Sequence, residues 1–314
     1  MTISPVWFFK HTNVAQANDS CARTKYSIRV IEMRERNTGN ISRFGFRLEE
    51  VGVHTSRTIM LEDLRHLLFY INSPDATKSD YLRAIVEDNC LGKRSGESRK
   101  LAASHLVYLY SLDSSITVFR SLLYFWNRDF EGQPILALLC AYSRDALLRM
   151  SAPFIIKSEK GAIVSRASLE NYIEGRYPGR FSKATLKSTA QNLNSSWAKS
   201  GHFIGKARKM RVMAKATPGS VAYALFLGYL NGIRGQSLFT SEYAALLDCS
   251  PSEAMGLAEK LAQSGPRSQQ GIIKVNRCRQ GLSLEADLQL EFETALPVVR
   301  GSDPVEGIKA QREN

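Results

Sequence analysis

RASLENYIEGRYPGRFSKATLKSTAQNLNSSWAK, residues 166–199, decides how this chain is read. A helical pattern near 166–174 runs into Tyr177-Pro178-Gly179, a turn signal, and a second helical pattern extends from Lys183 to Lys199. Helix, short turn, helix is the skeleton of a helix-turn-helix. The second helix sets Leu186, Ala190, Leu193 and Trp197 on one side, toward a core. Its other side carries Lys183, Lys187, Ser188, Gln191, Asn192, Ser195 and Lys199. Directly after it, HFIGKARKMRVMAK (202–215) is expected to be a loop holding Lys206, Arg208, Lys209, Arg211 and Lys215. Long cations there can neutralise phosphates while the helix fixes the register, and Gln191 and Asn192 suit contact with base edges.

The charge around this stretch is one-sided. Between Glu174 and Glu242 there is no Asp or Glu, while Arg176, Arg180 and Arg234 join the eight Lys and Arg named above, eleven cations against a net charge of +12 for all 314 residues. A charge run is ordinarily a solvated surface, but solvated surfaces mix signs. The absence of acids favours an acidic partner, and double-stranded DNA fits best.

Working outward toward the N-terminus, residues 78–150 give four helical patterns, near 78–88, 97–110, 115–127 and 133–150, which read as a helical bundle. In the third, Ile116, Phe119, Leu122, Leu123 and Trp126 recur at helical spacing and read as core. Phe154 to Ile156 is β-like. Further upstream lie a helix near 61–71, ended by Asn72-Ser73-Pro74-Asp75, and a hairpin in which Tyr26, Ile28, Val30 and Met33 precede Asn37-Thr38-Gly39-Asn40 and then Phe44, Phe46 and Leu48. Residues 1–24 are polar and irregular.

Toward the C-terminus, an apolar helix from Ser220 to Gly232 carries Ala224, Gly228 and Gly232 as a smooth stripe open to another helix. A pattern at 240–247 and a turn at Asp248-Cys249 lead to Ser250-Pro251-Ser252-Glu253, a capping box with proline at the first helical position. Residues 272–275 and 282–284 read as a two-stranded wing, which gives 236–296 the order of a winged helix, and its Lys274, Arg277 and Arg279 offer a further contact to the phosphate backbone. The acids Glu285, Asp287, Glu291 and Glu293 fall on a strand-like tail. The expected architecture is therefore mainly α. A helical bundle (78–157), a basic helix-turn-helix-like region (163–235) and a C-terminal winged helix (236–296) come after the small N-terminal β-hairpin and helix (25–75), with flexible ends at 1–24 and 297–314.

Several chemistries find no support. The longest apolar runs, 135–142 and 221–230, fall short of the roughly 20 residues a membrane-crossing helix needs. MTISPVWFFKHTN lacks the basic start of a secretory signal, so a cytoplasmic protein is expected. The cysteines 21, 90, 140, 249 and 278 stand at wide spacing and the five histidines are dispersed, so reduced thiols and no metal are expected. Leu91-Gly92-Lys93-Arg94-Ser95-Gly96 precedes a helix and reads first as an exposed loop in which Ser95 caps that helix; the alternative is that Lys93, Arg94 and Arg99 meet a phosphate there. It is no P-loop, since Glu87 stands where the first glycine is needed and Arg94 comes after Lys93. No nucleophile elbow, catalytic carboxylate pair or nuclease motif is present, and neither an enzyme nor a cofactor is expected.

Four strings carry a family resemblance. They are Asn89-Cys90-Leu91-Gly92-Lys93-Arg94-Ser95 with Arg99; Leu109-Tyr110-Ser111-Leu112-Asp113; Asn194-Ser195-Ser196-Trp197-Ala198-Lys199-Ser200-Gly201-His202; and Gly232-Ile233-Arg234-Gly235. From residue 78 onward the chain resembles the BrxA-like proteins of bacteriophage-exclusion (BREX) defence systems, small helical proteins with winged-helix elements. The resemblance implies DNA binding, no catalysis and work beside other defence-system proteins; residues 1–75 depart from it. Two alternatives stand beside this reading. One is a scaffold or adaptor that binds protein partners through its winged helix and glycine stripe. The other is a transcriptional repressor, which needs a dimer and a palindromic site.

Overall fold

The computed structural model describes residues 41–48, 58–73, 75–206 and 208–263. The chain divides into two units, 1–43 and 44–314. Of the first, residues 41 and 42 are helical. The described residues of the second are mainly helical with one small antiparallel sheet. The first strand of the expected N-terminal hairpin and the expected wing at 272–284 lie outside the described residues. Phe44, Phe46 and Leu48, read as the second strand of that hairpin, belong to a turn and an irregular segment in which Phe46 is buried.

The bundle begins with α1 (Leu61–Ile71), whose Leu61, Leu64, Leu67 and Leu68 are buried as the periodicity requires. Then come α2 (Lys78–Val86), α3 (Gly96–Tyr110), α4 (Thr117–Trp126), α5 (Gln133–Tyr142) and α6 (Ala146–Lys157). Phe119, Leu122 and Trp126 of α4 lie in the core. A helix apolar all round must be enclosed, and α5 is: every residue from Ile135 to Tyr142 is buried, against α3, α4, α6 and a later helix, α9 (Pro218–Leu230).

The stretch expected as one helix at 133–150 is two. The Asp145 carboxylate accepts the amides of Leu147 (2.8 Å) and Leu148 (3.0 Å) and starts a new helix. The expected β-like run at 154–156 is instead the last turn of α6, where fully buried Ile155 binds the segment to the core despite Pro153 within the helix.

Next come β1 (Ile163–Val164), α7 (Arg166–Arg176), α8 (Lys183–Lys199), β2 (Phe203–Ile204) and β3 (Lys209–Arg211). The sheet order is β1-β3-β2, with Ile163 opposite Met210 and Ile204 opposite Met210. The expected loop at 202–215 thus holds a hairpin that also pairs with β1. Its turn begins at Gly205, at φ +96°, where a Cβ would lie 2.2 Å from the Arg208 carbonyl oxygen, so only glycine fits.

After α9, a 3₁₀ turn (Gly235–Thr240), α10 (Glu242–Ala245) and α11 (Pro251–Gln263) complete the described fold. The capping box is present: the Ser250 amide donates to Glu253 (2.7 Å) and the Glu253 amide to Ser250 Oγ (3.2 Å). The expected open stripe on α9 is filled by the chain itself. A Cβ on Gly228 would stand 3.1 Å from Leu238, and α11, α10 and the 3₁₀ turn all pack on this helix. Asp129 joins α5 to α9 by accepting the amides of Gly132 (3.0 Å) and Ser220 (3.2 Å) and the Thr217 hydroxyl, which places one carboxylate at two helix N-termini.

Candidate nucleic-acid interface

Why residues 166–199 fold as two helices is visible in their caps. Ser165 Oγ accepts the Ser168 amide (3.0 Å) and opens α7, and Ser182 Oγ accepts the Thr185 amide (3.2 Å) and opens α8. Between them Gly179, at φ +68°, donates its amide to Glu174 (2.7 Å). One flank of the acid-free interval is therefore tied into the turn. Leu169 and Ile173 of α7 meet Ala190, Leu193 and Trp197 of α8 in a core closed by α6, where the Trp197 indole N–H donates to Ser151 Oγ (3.0 Å).

On the outer side of α8, Lys183, Lys187 and Gln191 are exposed, while Asn192, Ser195 and Lys199 are half-buried. The cause is geometric. Residues 183, 187, 191, 195 and 199 recur every four positions, and at about 100° per residue such a row drifts about 40° at each step around the helix. It starts in solvent and ends against the protein, where Lys199 Nζ lies 3.4 Å from Thr58 Oγ1. α8 has no acidic residue in its first turn, so its positive helix end and Lys183 act together.

The hairpin after α8 holds Lys206 and Arg208 exposed at its turn, and Lys209 half-buried with its Nζ donating to the Gly205 carbonyl (2.8 Å). No carboxylate pairs with Lys183, Lys187, Lys206 or Arg208 among the described residues.

Most of the other expected contact cations within the described residues are occupied. Arg211, expected on the binding surface, is 3% exposed and faces inward beside Phe203. Its guanidinium grips both oxygens of Asp248, with Nη1 to Oδ2 at 2.6 Å, and also donates to the carbonyls of Ile155 (3.0 Å) and Val212. Lys215 is exposed but pairs with Glu131 (2.7 Å). Lys93 pairs with Asp63 (2.7 Å), and Arg99 donates to the Val86 carbonyl (2.8 Å), so of the three expected at a phosphate only Arg94 stands exposed. Lys274, Arg277 and Arg279 lie outside the described residues. The pattern of residues gave no sign of Asp248 and Glu131 at this surface, because an interval without acids in sequence is not one in space.

His202 lies beside the Arg211–Asp248 pair. Its Nε2 donates to the Leu246 carbonyl (3.0 Å), which assigns the neutral tautomer with Nδ1 accepting from Ser200 Oγ (2.9 Å); Asp248 Oδ2 is 3.7 Å away. Burial pulls the imidazole pKa down to about 4, outweighing the opposing pull of Asp248. Burial pushes the Asp248 carboxyl up, yet the Arg211 hydrogen bonds, His202 and the Ala214 amide outweigh it and leave it below the usual range.

His202 makes the stability of the fold depend on pH. Between its ordinary value near 6.5 and its folded value near 4, the unfolded chain binds the extra proton, so stability rises with pH there and is lost on acidification. Urea unfolding at pH 4.5 is expected to give roughly 2 to 3 kcal/mol less stability than at pH 7 from this group. A His202→Asn variant should show that much less pH dependence; an unchanged dependence would show that other groups cause it.

Among the described residues no three His, Cys, Asp or Glu side chains come together to hold a metal ion, and no helix is long and apolar enough to cross a membrane. Cys140 is buried, which pushes its thiol up to about 12, while Cys90 and Cys249 are half-buried, and all three are free thiols. Compared with known proteins, the sequence matches no family model and no curated protein.

Proposed function

We propose that this chain is a non-enzymatic protein that binds the backbone of duplex DNA through the outer face of α8 and the turn of the β2–β3 hairpin. The observation that carries the reading is the group of four exposed cations, Lys183, Lys187, Lys206 and Arg208, on two consecutive elements and without acidic partners among the described residues. The order α6, β1, α7, α8, β2, β3 supports it further. Helix, strand, helix, turn, helix and hairpin is an order that winged helices share, which supports the same reading of residues 146–211; the wing expected within 236–296 lies outside the described residues. In that arrangement α8 is the helix offered to a groove, and the hairpin reaches the neighbouring backbone. Weak base selectivity is expected: Gln191 is the one exposed amide on the row, and the remaining contacts are cations suited to phosphates. Work within an anti-phage system, beside other defence proteins, rests on the BREX resemblance alone.

The deciding measurement is the affinity of the purified chain for a random-sequence duplex across a salt series. The expected plot of log K against log [salt] is linear, with a slope of about −0.9 per phosphate neutralised. Absence of binding at low salt would refute the reading and move the basic face to a protein partner.

A further inference from the structure

The outward face of the small sheet carries an apolar strip. Ile163 on β1, Met210 on β3 and Ile204 on β2 are direct cross-strand neighbours, 57%, 37% and 49% exposed. Their inward counterparts Val164, Arg211 and Phe203 are all buried. Single exposed apolar residues are ordinary. Three in register across every strand of a sheet form one continuous surface, and Lys206 and Arg208 border it at the hairpin turn. The strip calls for a partner that is apolar on one side and acidic on the other.

The chain contains one. Residues 284–293, LEADLQLEFE, alternate strictly: Leu284, Ala286, Leu288, Leu290 and Phe292 take one side, and Glu285, Asp287, Gln289, Glu291 and Glu293 the other. From 280 to 299 there is no Lys or Arg, so this stretch is the charge counterpart of the acid-free interval 175–241. Extended, ten residues cover roughly 33 Å, against about 10 Å across three strands. The connection reaches. α11 ends at Gln263 and lines the same cleft as Met213 and Ala214, which lead away from β3. The 20 residues from 264 to 283 can span up to roughly 66 Å.

We infer that residues 284–293 dock on the Ile163–Met210–Ile204 strip of their own chain, apolar side down, and bring their carboxylates to the hairpin cations. Docked this way, the segment competes with phosphate for Lys206 and Arg208 and lowers the affinity for duplex. The docking stands on the strip and the alternating segment; its effect on DNA rests on the function proposed above.

Two measurements on the full chain separate these. In the first, peroxide oxidation of Met210 is monitored by peptide mass spectrometry in the wild type and in Leu288→Ser/Leu290→Ser/Phe292→Ser. Docking is expected to make Met210 oxidise at least threefold faster in the variant. Equal rates would overturn the inference, and so would protection that grows with protein concentration, which would assign the cover to a second copy. In the second, Glu285→Gln/Asp287→Asn/Glu291→Gln/Glu293→Gln is titrated with random-sequence duplex. Tighter binding by about tenfold, with a steeper salt slope, is expected; unchanged affinity beside a protected Met210 would overturn the competition while leaving the docking. If neither protein binds duplex, the nucleic-acid reading fails, and Met210 still decides the docking.

Discussion

Replacing Lys183, Lys187, Lys206 and Arg208 together by alanine is expected to weaken binding to random-sequence duplex roughly a hundredfold at low salt and to flatten the salt slope by about 3 to 4 units. Each of these side chains is exposed and has no carboxylate partner in the described fold, so its charge is available to a phosphate and its removal leaves no buried group unsatisfied. The fold should tolerate the change, because surface substitutions away from caps and cores shift stability by only about 0.5 kcal/mol. Unfolding curves that overlay the wild type, together with the flattened slope, would assign the loss to the surface. Because the contacts are to backbone, the loss should be the same for every duplex sequence. Gln191→Ala tests the exception: it should leave the slope alone, and any effect should depend on the sequence offered. A four-alanine variant that keeps the wild-type slope would place the interface elsewhere.

What the sequence disclosed and what it concealed divide along one line, between local and non-local causes. The helix at 61–71, the Pro-Gly turn before α8 and the Ser250–Glu253 capping box are set by residues within five positions of one another, and each stands where the pattern put it. The break between α5 and α6 was also locally written, since Asp145 is a capping residue, but the apolar residues on both sides of Ser143-Arg144-Asp145 hid it. Residues 154–156 looked β-like because aromatic and β-branched side chains favour strands; packing of Ile155 in the core overrides that preference. The hairpin at 203–211 was obscured because its strands are two and three residues long and the second carries two cations. The drift of the four-residue row explains why Lys199 turns inward while Lys183 does not. Arg211 had no local signal at all, as its partner lies 37 residues ahead.

That partner makes Arg211 the sharpest test of the site, because the same residue would be a phosphate contact by sequence and a structural one by geometry. Arg211→Ala is expected to destabilise the fold by about 3–5 kcal/mol, the cost of leaving Asp248 buried without its counter-ion. Asp248→Ala should cost a similar amount, since it strands the guanidinium and frees the Ala214 amide that donates to Asp248 at 3.0 Å. Urea unfolding measures both. The two losses are not additive: a double variant, Arg211→Met/Asp248→Leu, removes both charges and should cost less than the two single losses together by about 2 kcal/mol. It should not regain wild-type stability, because the Val212 carbonyl and the Ala214 amide would lose the partners that Arg211 and Asp248 give them. Below its unfolding transition, Arg211→Ala should bind duplex with the wild-type salt slope, since a charge neutralised inside the fold releases no counterions on binding. A flattened slope in a folded Arg211→Ala protein would mean that the guanidinium leaves Asp248 for phosphate, and the interface would then extend from the hairpin turn into the sheet.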